Sequence, residues 1–139
     1  MNVLLDSNIA LDIMLRREPF YHDAKDIVED SQNGVYTAFV SASAVTDIYY
    51  IACRILKDEK LVMSRLKALL KTVAVAAVTG AEIHRAINLD WADFEDCVQY
   101  TAGENLAVRY IITRDTDGYA ASEIPVVSPE KFLDMITID

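Results

Sequence analysis

Five aspartates lie inside or directly after apolar segments of the chain, where an unpaired carboxylate is energetically costly. They are Asp6, Asp47, Asp96, Asp115 and Asp117. A bound cation would remove this cost, and carboxylate oxygens are the ligands that Mg²⁺ and Mn²⁺ prefer. The histidines and cysteines of the chain are isolated from one another and do not have the spacing of a zinc site. The pattern therefore predicts an all-oxygen metal site, provided that the fold brings the aspartates together.

Four of these aspartates also have an ordinary structural explanation that requires no metal. Asp6 can cap the helix that follows the first apolar segment. Asp96 lies three residues after Asp93, the spacing of a helix-capping pair, so one of the two can cap while the other points into a cleft. Asp115 and Asp117 can form a turn after a strand. Of this last pair, Asp115 follows the strand more closely and is the stronger candidate ligand.

Asp47 is the hardest of the five to explain structurally. It is the only formally charged residue between Ser31 and Cys53, and it lies in the middle of a predicted helix. A charge on a buried helix face costs on the order of several kcal/mol unless it is compensated. The alternative is that Asp47 faces solvent beside Tyr50 and Arg54. We favour a role for Asp47 in the site.

Composition restricts the class of protein. The chain has 139 residues, of which 53% are hydrophobic, so we expect a single folded domain over residues 1–139 rather than a disordered protein. No membrane-spanning segment or secretory signal is visible in the sequence. Cys53 and Cys97 have no metal or redox spacing and are predicted to be reduced core thiols, which favours a cytoplasmic location.

The net charge of −9 weighs against sequence-independent nucleic-acid binding, which depends on neutralising phosphates. Five of the negative charges belong to the candidate metal site, however, and the basic residues are unevenly distributed. Six of the 13 lysines and arginines lie between Arg54 and Lys71, although a solvated helix face is the ordinary explanation for such a cluster. The net charge therefore weighs against a nucleic-acid substrate but does not exclude one.

Short apolar segments alternate with amphipathic helices along the chain. Strands are predicted at residues 3–5, 35–40, 73–78, 109–113 and 125–127, and helices at 9–15, 21–32, 41–57, 60–71, 79–89, 93–107 and from 129 onward. This alternation predicts a three-layer α/β/α fold with a mostly parallel five-stranded sheet. Ligands bind beyond the carboxyl ends of strands in such sheets, where Asp6 and Asp115 are expected.

Other catalytic arrangements are not supported. His22 and His84 are isolated, and no serine or cysteine stands in a nucleophile motif. Only four glycines are present, so the sequence has no glycine-rich phosphate-binding loop. The carboxylates remain as the only candidate reactive cluster.

Four short motifs, taken in their order and spacing, resemble those of PIN-domain proteins, and in particular the small stand-alone VapC toxins. They are Leu4-Leu5-Asp6-Ser7-Asn8, residues 41–47, residues 93–97 and residues 111–115, and the closing segment 125–133 resembles the family's last strand and helix. The resemblance covers nearly the full chain and implies the strand order 3-2-1-4-5. The chain departs from the family at Asp47, where glutamate is more frequent, and after Asp117, where an aspartate more often directly precedes the aromatic residue.

The resemblance implies a Mg²⁺- or Mn²⁺-dependent endoribonuclease that hydrolyses RNA and acts as the toxin of a VapBC-type pair. The catalytic positions would be Asp6, Asp47, Asp96 and Asp115, the metal ligands Asp6, Asp96, Asp115 and optionally Asp117, and the supporting residues Ser7, Asn8 and Thr113. A small antitoxin is the expected protein partner, and a homodimer is a further candidate assembly. The alternative is a catalytically degenerate PIN domain that serves as a protein- or RNA-binding scaffold.

Overall fold

The computed structural model describes residues 1–138. Its five strands form one parallel sheet in the order β3-β2-β1-β4-β5, which confirms the predicted order. The strands are β1 (Asn2–Leu5), β2 (Thr37–Ser41), β3 (Ala74–Ala76), β4 (Tyr110–Ile112) and β5 (Val126–Val127). Because β1 is central and pairs with both β2 and β4, its carboxyl end lies in the middle of the sheet edge that is formed by the carboxyl ends of the strands.

Helices cover both faces of this sheet. They are α1 (Ser7–Met14), α2 (Tyr21–Gln32), α3 (Ala42–Leu56), α4 (Glu59–Thr72), α5 (Gly80–Leu89), α6 (Phe94–Asn105) and α7 (Pro129–Ile138). In β1, Val3 and Leu5 pack with α1–α4 and α7 on one face, whereas Leu4 packs with α6 on the other. All three side chains are fully buried, as expected for the central strand of a three-layer α/β/α fold. Within the described part of the chain, no helix is long and apolar enough to cross a lipid bilayer.

Several predicted boundaries differ from the structure. The second and third strands begin later than the predicted residues 35 and 73, at Thr37 and Ala74, and the third strand ends at Ala76 rather than 78. The third strand is short because it is an outermost strand of the sheet and pairs only with residues 39–41 of β2. The first helix begins at Ser7 rather than residue 9. Helix α6 ends at residue 105 rather than 107, and strand β4 spans 110–112 rather than 109–113. A short 3₁₀ helix, Thr116–Tyr119, was not predicted.

An ion cluster centred on the buried carboxylate of Asp12 links α1 to the segment after β4. Asp12 has no exposed surface and accepts hydrogen bonds from Arg17 Nε at 2.9 Å and from Arg114 Nε and Nη2 at 2.7 and 3.0 Å. The Arg114 guanidinium also lies 3.9 Å from the centroid of the Phe20 ring. Charge-assisted, two-pronged contacts of this kind fix geometry as well as contributing energy. The cluster therefore anchors the residue that directly precedes Asp115.

We predict that Asp12→Ala lowers the free energy of unfolding by about 1.5–3 kcal/mol, because it removes the charge-assisted hydrogen bonds from Arg17 and Arg114, whose partly exposed guanidinium groups can be hydrated instead. Chemical denaturation measures the loss. Asp26→Ala is the matched control, since Asp26 is exposed on α2 and surface substitutions of this type change stability by about 0.5 kcal/mol or less. Equal stability losses in the two variants would contradict the proposed anchoring role.

Candidate functional site

Asp6 lies at the carboxyl end of β1 and caps α1. Its carboxylate accepts a hydrogen bond from the Ser7 backbone N–H, with Oδ1 2.7 Å from the nitrogen. The backbone N–H of Asp6 donates to the Ile112 carbonyl at 3.0 Å, which continues the parallel pairing between β1 and β4. The capping role is therefore real, yet it leaves the side chain only 5% exposed at the centre of the sheet edge.

Side chains from three other positions converge on the Asp6 carboxylate. Thr113 Oγ1, just beyond β4, donates to Oδ2 at 2.7 Å, and the amide of Gln99 on α6 donates to Oδ1 at 2.9 Å. Asn8 Nδ2 lies 3.5 Å from Oδ2 and 3.1 Å from Thr113 Oγ1. The structure thus places the three predicted supporting residues, Ser7, Asn8 and Thr113, in contact with Asp6.

Asp96 lies in the first turn of α6, and Asp93 rather than Asp96 caps this helix. Asp93 accepts from the Asp96 backbone N–H at 3.0 Å, so the Asp96 side chain is free to face the sheet edge. Burial raises the pKa of the Asp96 carboxyl from 3.8 to about 7, with further contributions from the charges of Asp6, Asp93 and Asp115. Negative charge is therefore crowded around Asp96, which is the electrostatic condition that a bound cation would relieve.

Tyr119 connects two of these carboxylates. Its side chain is 2% exposed, and its hydroxyl interacts with both Asp6 and Asp96 and accepts a hydrogen bond from Gln99 Nε2 at 3.2 Å. Burial and the two neighbouring negative charges raise the pKa of the hydroxyl far above its ordinary value. Tyr119 therefore remains protonated and can donate its proton in a hydrogen bond to these carboxylates.

Asp115 reaches the same region from the loop after β4. Its backbone N–H donates to Thr113 Oγ1 at 3.0 Å, and its side chain is exposed. A Cβ atom at Gly118 would overlap Asp96 Oδ2 and lie 3.8 Å from Asp115 Oδ2. The absence of a side chain at Gly118 thus allows the 3₁₀ helix to approach both carboxylates. Asp117 is exposed on that 3₁₀ helix.

The structure contradicts the expectation that Asp47 is a buried charge. Asp47 is exposed on α3 and lines a cleft of about 360 Å³ beside Tyr50 and Arg54, which is the alternative that the sequence left open. Helix α3 turns this residue outward because its buried face carries Ala44, Ile48 and Ala52. Ser7 and Gln99, the two contacts of Asp6 Oδ1, also line the cleft. Asp47 therefore shares a cleft with two residues that contact Asp6, whereas Asp6 itself does not line this cleft.

These positions differ in how closely they approach one another. Asp96 lies close enough to Asp6 and Asp115 for their charges to raise its pKa, so three of the predicted residues share one region. Asp47 lies apart from them, on the cleft wall. Within residues 1–138 no group of three or more His, Cys, Asp or Glu side chains forms a preassembled metal site. The donor set nonetheless fits a hard divalent cation, since it consists of carboxylate oxygens with uncompensated negative charge around Asp96.

The sequence matches the family model described as "PIN domain" over residues 2–117. The chain belongs to the PIN-domain family. No curated protein sequence matches this PIN domain significantly.

Solved structures with the same fold include several toxins. VapC20 from Mycobacterium tuberculosis, a sarcin–ricin loop cleaving toxin, has a TM-score of 0.69 at 13% identity, with 86% of this chain and 94% of that chain covered. A toxin–antitoxin complex from Klebsiella pneumoniae has a TM-score of 0.66 at 21% identity and coverages of 91% and 97%. VapBC2 from Rickettsia felis, bound to a promoter DNA fragment, has a TM-score of 0.65 at 11% identity and the same coverages, 91% and 97%. At these identities the likeness concerns the fold.

Gln99, Tyr119 and the Asp12–Arg114 pair of this PIN domain were not predicted from the sequence. One signal was present, because Gln99 is an amide within the otherwise weakly polar segment 97–102. It lies three residues after Asp96, and residues at this spacing share one helix face. Tyr119 and Arg114 gave no comparable signal, since their partners lie far away in the sequence.

We predict that Asp96 makes stability depend on pH in the metal-free protein. The folded state holds the Asp96 proton up to about pH 7, whereas the unfolded chain loses it near pH 3.8. The contribution of Asp96 to folding is therefore most favourable at low pH and is lost as the pH rises from about 4 to 7. Asp96→Asn should remove this part of the decrease in the free energy of unfolding, measured by denaturation in chelator between pH 4 and 8. The exposed Asp134→Asn serves as the control, and identical pH slopes for Asp96→Asn and wild type would contradict the prediction.

Proposed function

We propose that this PIN domain is a Mg²⁺- or Mn²⁺-dependent endoribonuclease that hydrolyses phosphodiester bonds in RNA. The observation that carries the proposal is the approach of Asp6, Asp96 and Asp115 at the carboxyl end of the central strands, with the pKa of Asp96 raised by its neighbours. A site that concentrates carboxylates beside an open cleft is suited to a hard cation and a phosphate substrate.

Asp6, Asp96 and Asp115 would hold the cation, and Asp117 is an additional candidate ligand at the exposed rim. A bound divalent cation supplies an activated water near neutral pH and neutralises charge that develops on the phosphate. Asp6 is kept in one orientation by hydrogen bonds from Ser7 and Thr113. Its position is therefore set before any ligand arrives, which favours catalysis by a fixed electrostatic environment.

The cleft supplies groups for the remaining tasks. The exposed carboxylate of Asp47 on the cleft wall can accept a hydrogen bond from the attacking water and orient it. Arg54 presents a guanidinium to the same cleft, where it can bind a phosphate oxygen. The ring of Tyr50, which is 64% exposed, can stack against an unpaired base. These three side chains give the cleft the chemistry required to bind single-stranded RNA.

We further propose that the protein is the toxin of a toxin–antitoxin pair with a small antitoxin as its partner. The structural neighbours from Klebsiella pneumoniae and Rickettsia felis are toxin–antitoxin complexes, and one further neighbour is a sarcin–ricin loop cleaving toxin. Cys53 and Cys97 are free thiols, which supports a location in the cytoplasm. A homodimer is a candidate assembly. The scaffold alternative is not favoured, because all four acidic positions are present.

The expected result for Asp6→Asn and Asp96→Asn is a loss of RNA cleavage of about 100-fold or more, the size observed when one electrostatic contributor to the transition state is removed. Gel assays with unpaired RNA and with a sarcin–ricin stem-loop, in Mg²⁺ or Mn²⁺, measure cleavage. EDTA should abolish the wild-type reaction. Asp134→Asn, a substitution on the exposed face of α7, should cleave like wild type.

The assignment fails if purified Asp96→Asn protein cleaves RNA as fast as wild type in Mg²⁺. Cleavage by the wild-type protein that persists in EDTA would contradict the metal requirement specifically. Circular dichroism should show the same helix content for the wild type and both active-site variants, because asparagine is isosteric with aspartate.

A further inference from the structure

Gln99 is a polar residue in a position that the core would ordinarily fill with an apolar side chain. It lies in α6, one turn after Asp96, and is 4% exposed between buried Val98 and Tyr100. A buried amide stabilises a fold only when its donors and acceptors are paired. The partners of Gln99 therefore show why an amide stands at this position.

Both N–H groups of the Gln99 amide are directed at the candidate site. Nε2 lies 2.9 Å from Asp6 Oδ1 and 3.2 Å from the Tyr119 hydroxyl oxygen. An ionised carboxylate can only accept hydrogen bonds, so the amide atom that faces Asp6 has to be the nitrogen. This requirement fixes the orientation of the amide and directs Oε1 away from Asp6.

The amide oxygen forms no hydrogen bond with the described residues in this arrangement. Among residues 1–138, Gln99 Oε1 is one of two buried side-chain polar atoms without a hydrogen-bond partner. An unpaired buried acceptor costs about 1–3 kcal/mol, and an apolar side chain of the same size would avoid this cost. Stability alone therefore does not explain Gln99, whereas its two contacts with the site do.

The contacts of Gln99 restrain two candidate ligands together. One N–H of the amide donates to Asp6 Oδ1, which also accepts a hydrogen bond from the Ser7 backbone N–H. Rotation of the carboxylate would therefore break two hydrogen bonds at once. The second N–H binds the Tyr119 hydroxyl, which interacts with Asp6 and Asp96. Gln99 thus contacts Asp6 directly and also contacts Tyr119, the residue that touches both the Asp6 and the Asp96 carboxylates.

We propose that Gln99 is a positioning residue of the metal site, which holds the Asp6 carboxylate and, through Tyr119, the Asp96 carboxylate in the orientation that binds a divalent cation. The inference rests on the proposed metal-dependent function. Residues that orient metal ligands in this way typically change metal affinity by about 10–100-fold when they are replaced. Gln99 would act through Asp6 and Tyr119 and would not itself contact the cation.

Gln99→Met is the decisive substitution, because methionine has a similar length and volume but no amide. We expect the dissociation constant for Mn²⁺, measured by electron paramagnetic resonance on the intact protein, to rise about 10–100-fold. The thermal midpoint in chelator should stay close to that of wild type, since removal of the unpaired Oε1 offsets the loss of the hydrogen bonds to Asp6 and Tyr119. RNA cleavage should recover toward the wild-type rate when Mn²⁺ is raised to saturation.

The matched control is Gln32→Met, which makes the same chemical change at an exposed position in the last turn of α2 and should leave Mn²⁺ affinity unchanged. Tyr119→Phe is a second test that does not depend on the folding of Gln99→Met. It keeps the buried ring but removes the hydroxyl that joins Gln99 to Asp96, and it should also weaken Mn²⁺ binding.

A purely structural role for Gln99 would give the opposite pattern, with a lower thermal midpoint and an unchanged Mn²⁺ dissociation constant. That result overturns the positioning role while the proposed function stands, provided that wild type binds Mn²⁺ and Asp96→Asn binds it more weakly. If wild type does not bind Mn²⁺, the proposed function fails and the inference fails with it.

Discussion

The burial of a single carboxylate, that of Asp6, is the constraint on which the rest of the site depends. The central position of β1 places Asp6 at the middle of the sheet edge, where β4 and α6 can both reach it. Donors from separate parts of the chain then satisfy its oxygens, including Thr113 Oγ1 and the Gln99 amide. The carboxylate is stabilised by hydrogen bonds rather than by a counterion, so its negative charge remains available to a ligand.

The basic residue nearest to the site in the sequence does not neutralise it. Arg114 directly precedes Asp115, but its guanidinium is paired with the fully buried Asp12. Among the described residues, no salt bridge includes Asp6, Asp96 or Asp115. The fold therefore uses its local cation to anchor the loop after β4 and leaves the carboxylates electrostatically uncompensated. This is the physical reason for expecting a cation from solution.

Features that depend on neighbouring residues could be predicted from the sequence, whereas long-range contacts could not. The apolar segment of β1, the strand order and the capping role of Asp93 follow from local patterns or from the family resemblance, and the structure contains them. Asp47 was expected to be buried because the sequence around it is apolar, but helix periodicity turns it outward. The contact between Gln99 and Asp6 spans 93 residues, and that between Arg114 and Asp12 spans 102. Such pairings arise only from the assembled sheet.

In the proposed site, Asp6, Asp96 and Asp115 together bind one or two divalent cations. Anomalous diffraction from crystals soaked in Mn²⁺ tests it directly, because the signal locates the metal without reference to activity. We expect a peak within coordination distance of carboxylate oxygens from all three residues, and the loss of that peak in Asp96→Asn crystals. A fully soaked crystal with Mn²⁺ bound elsewhere and no peak between these carboxylates would contradict it.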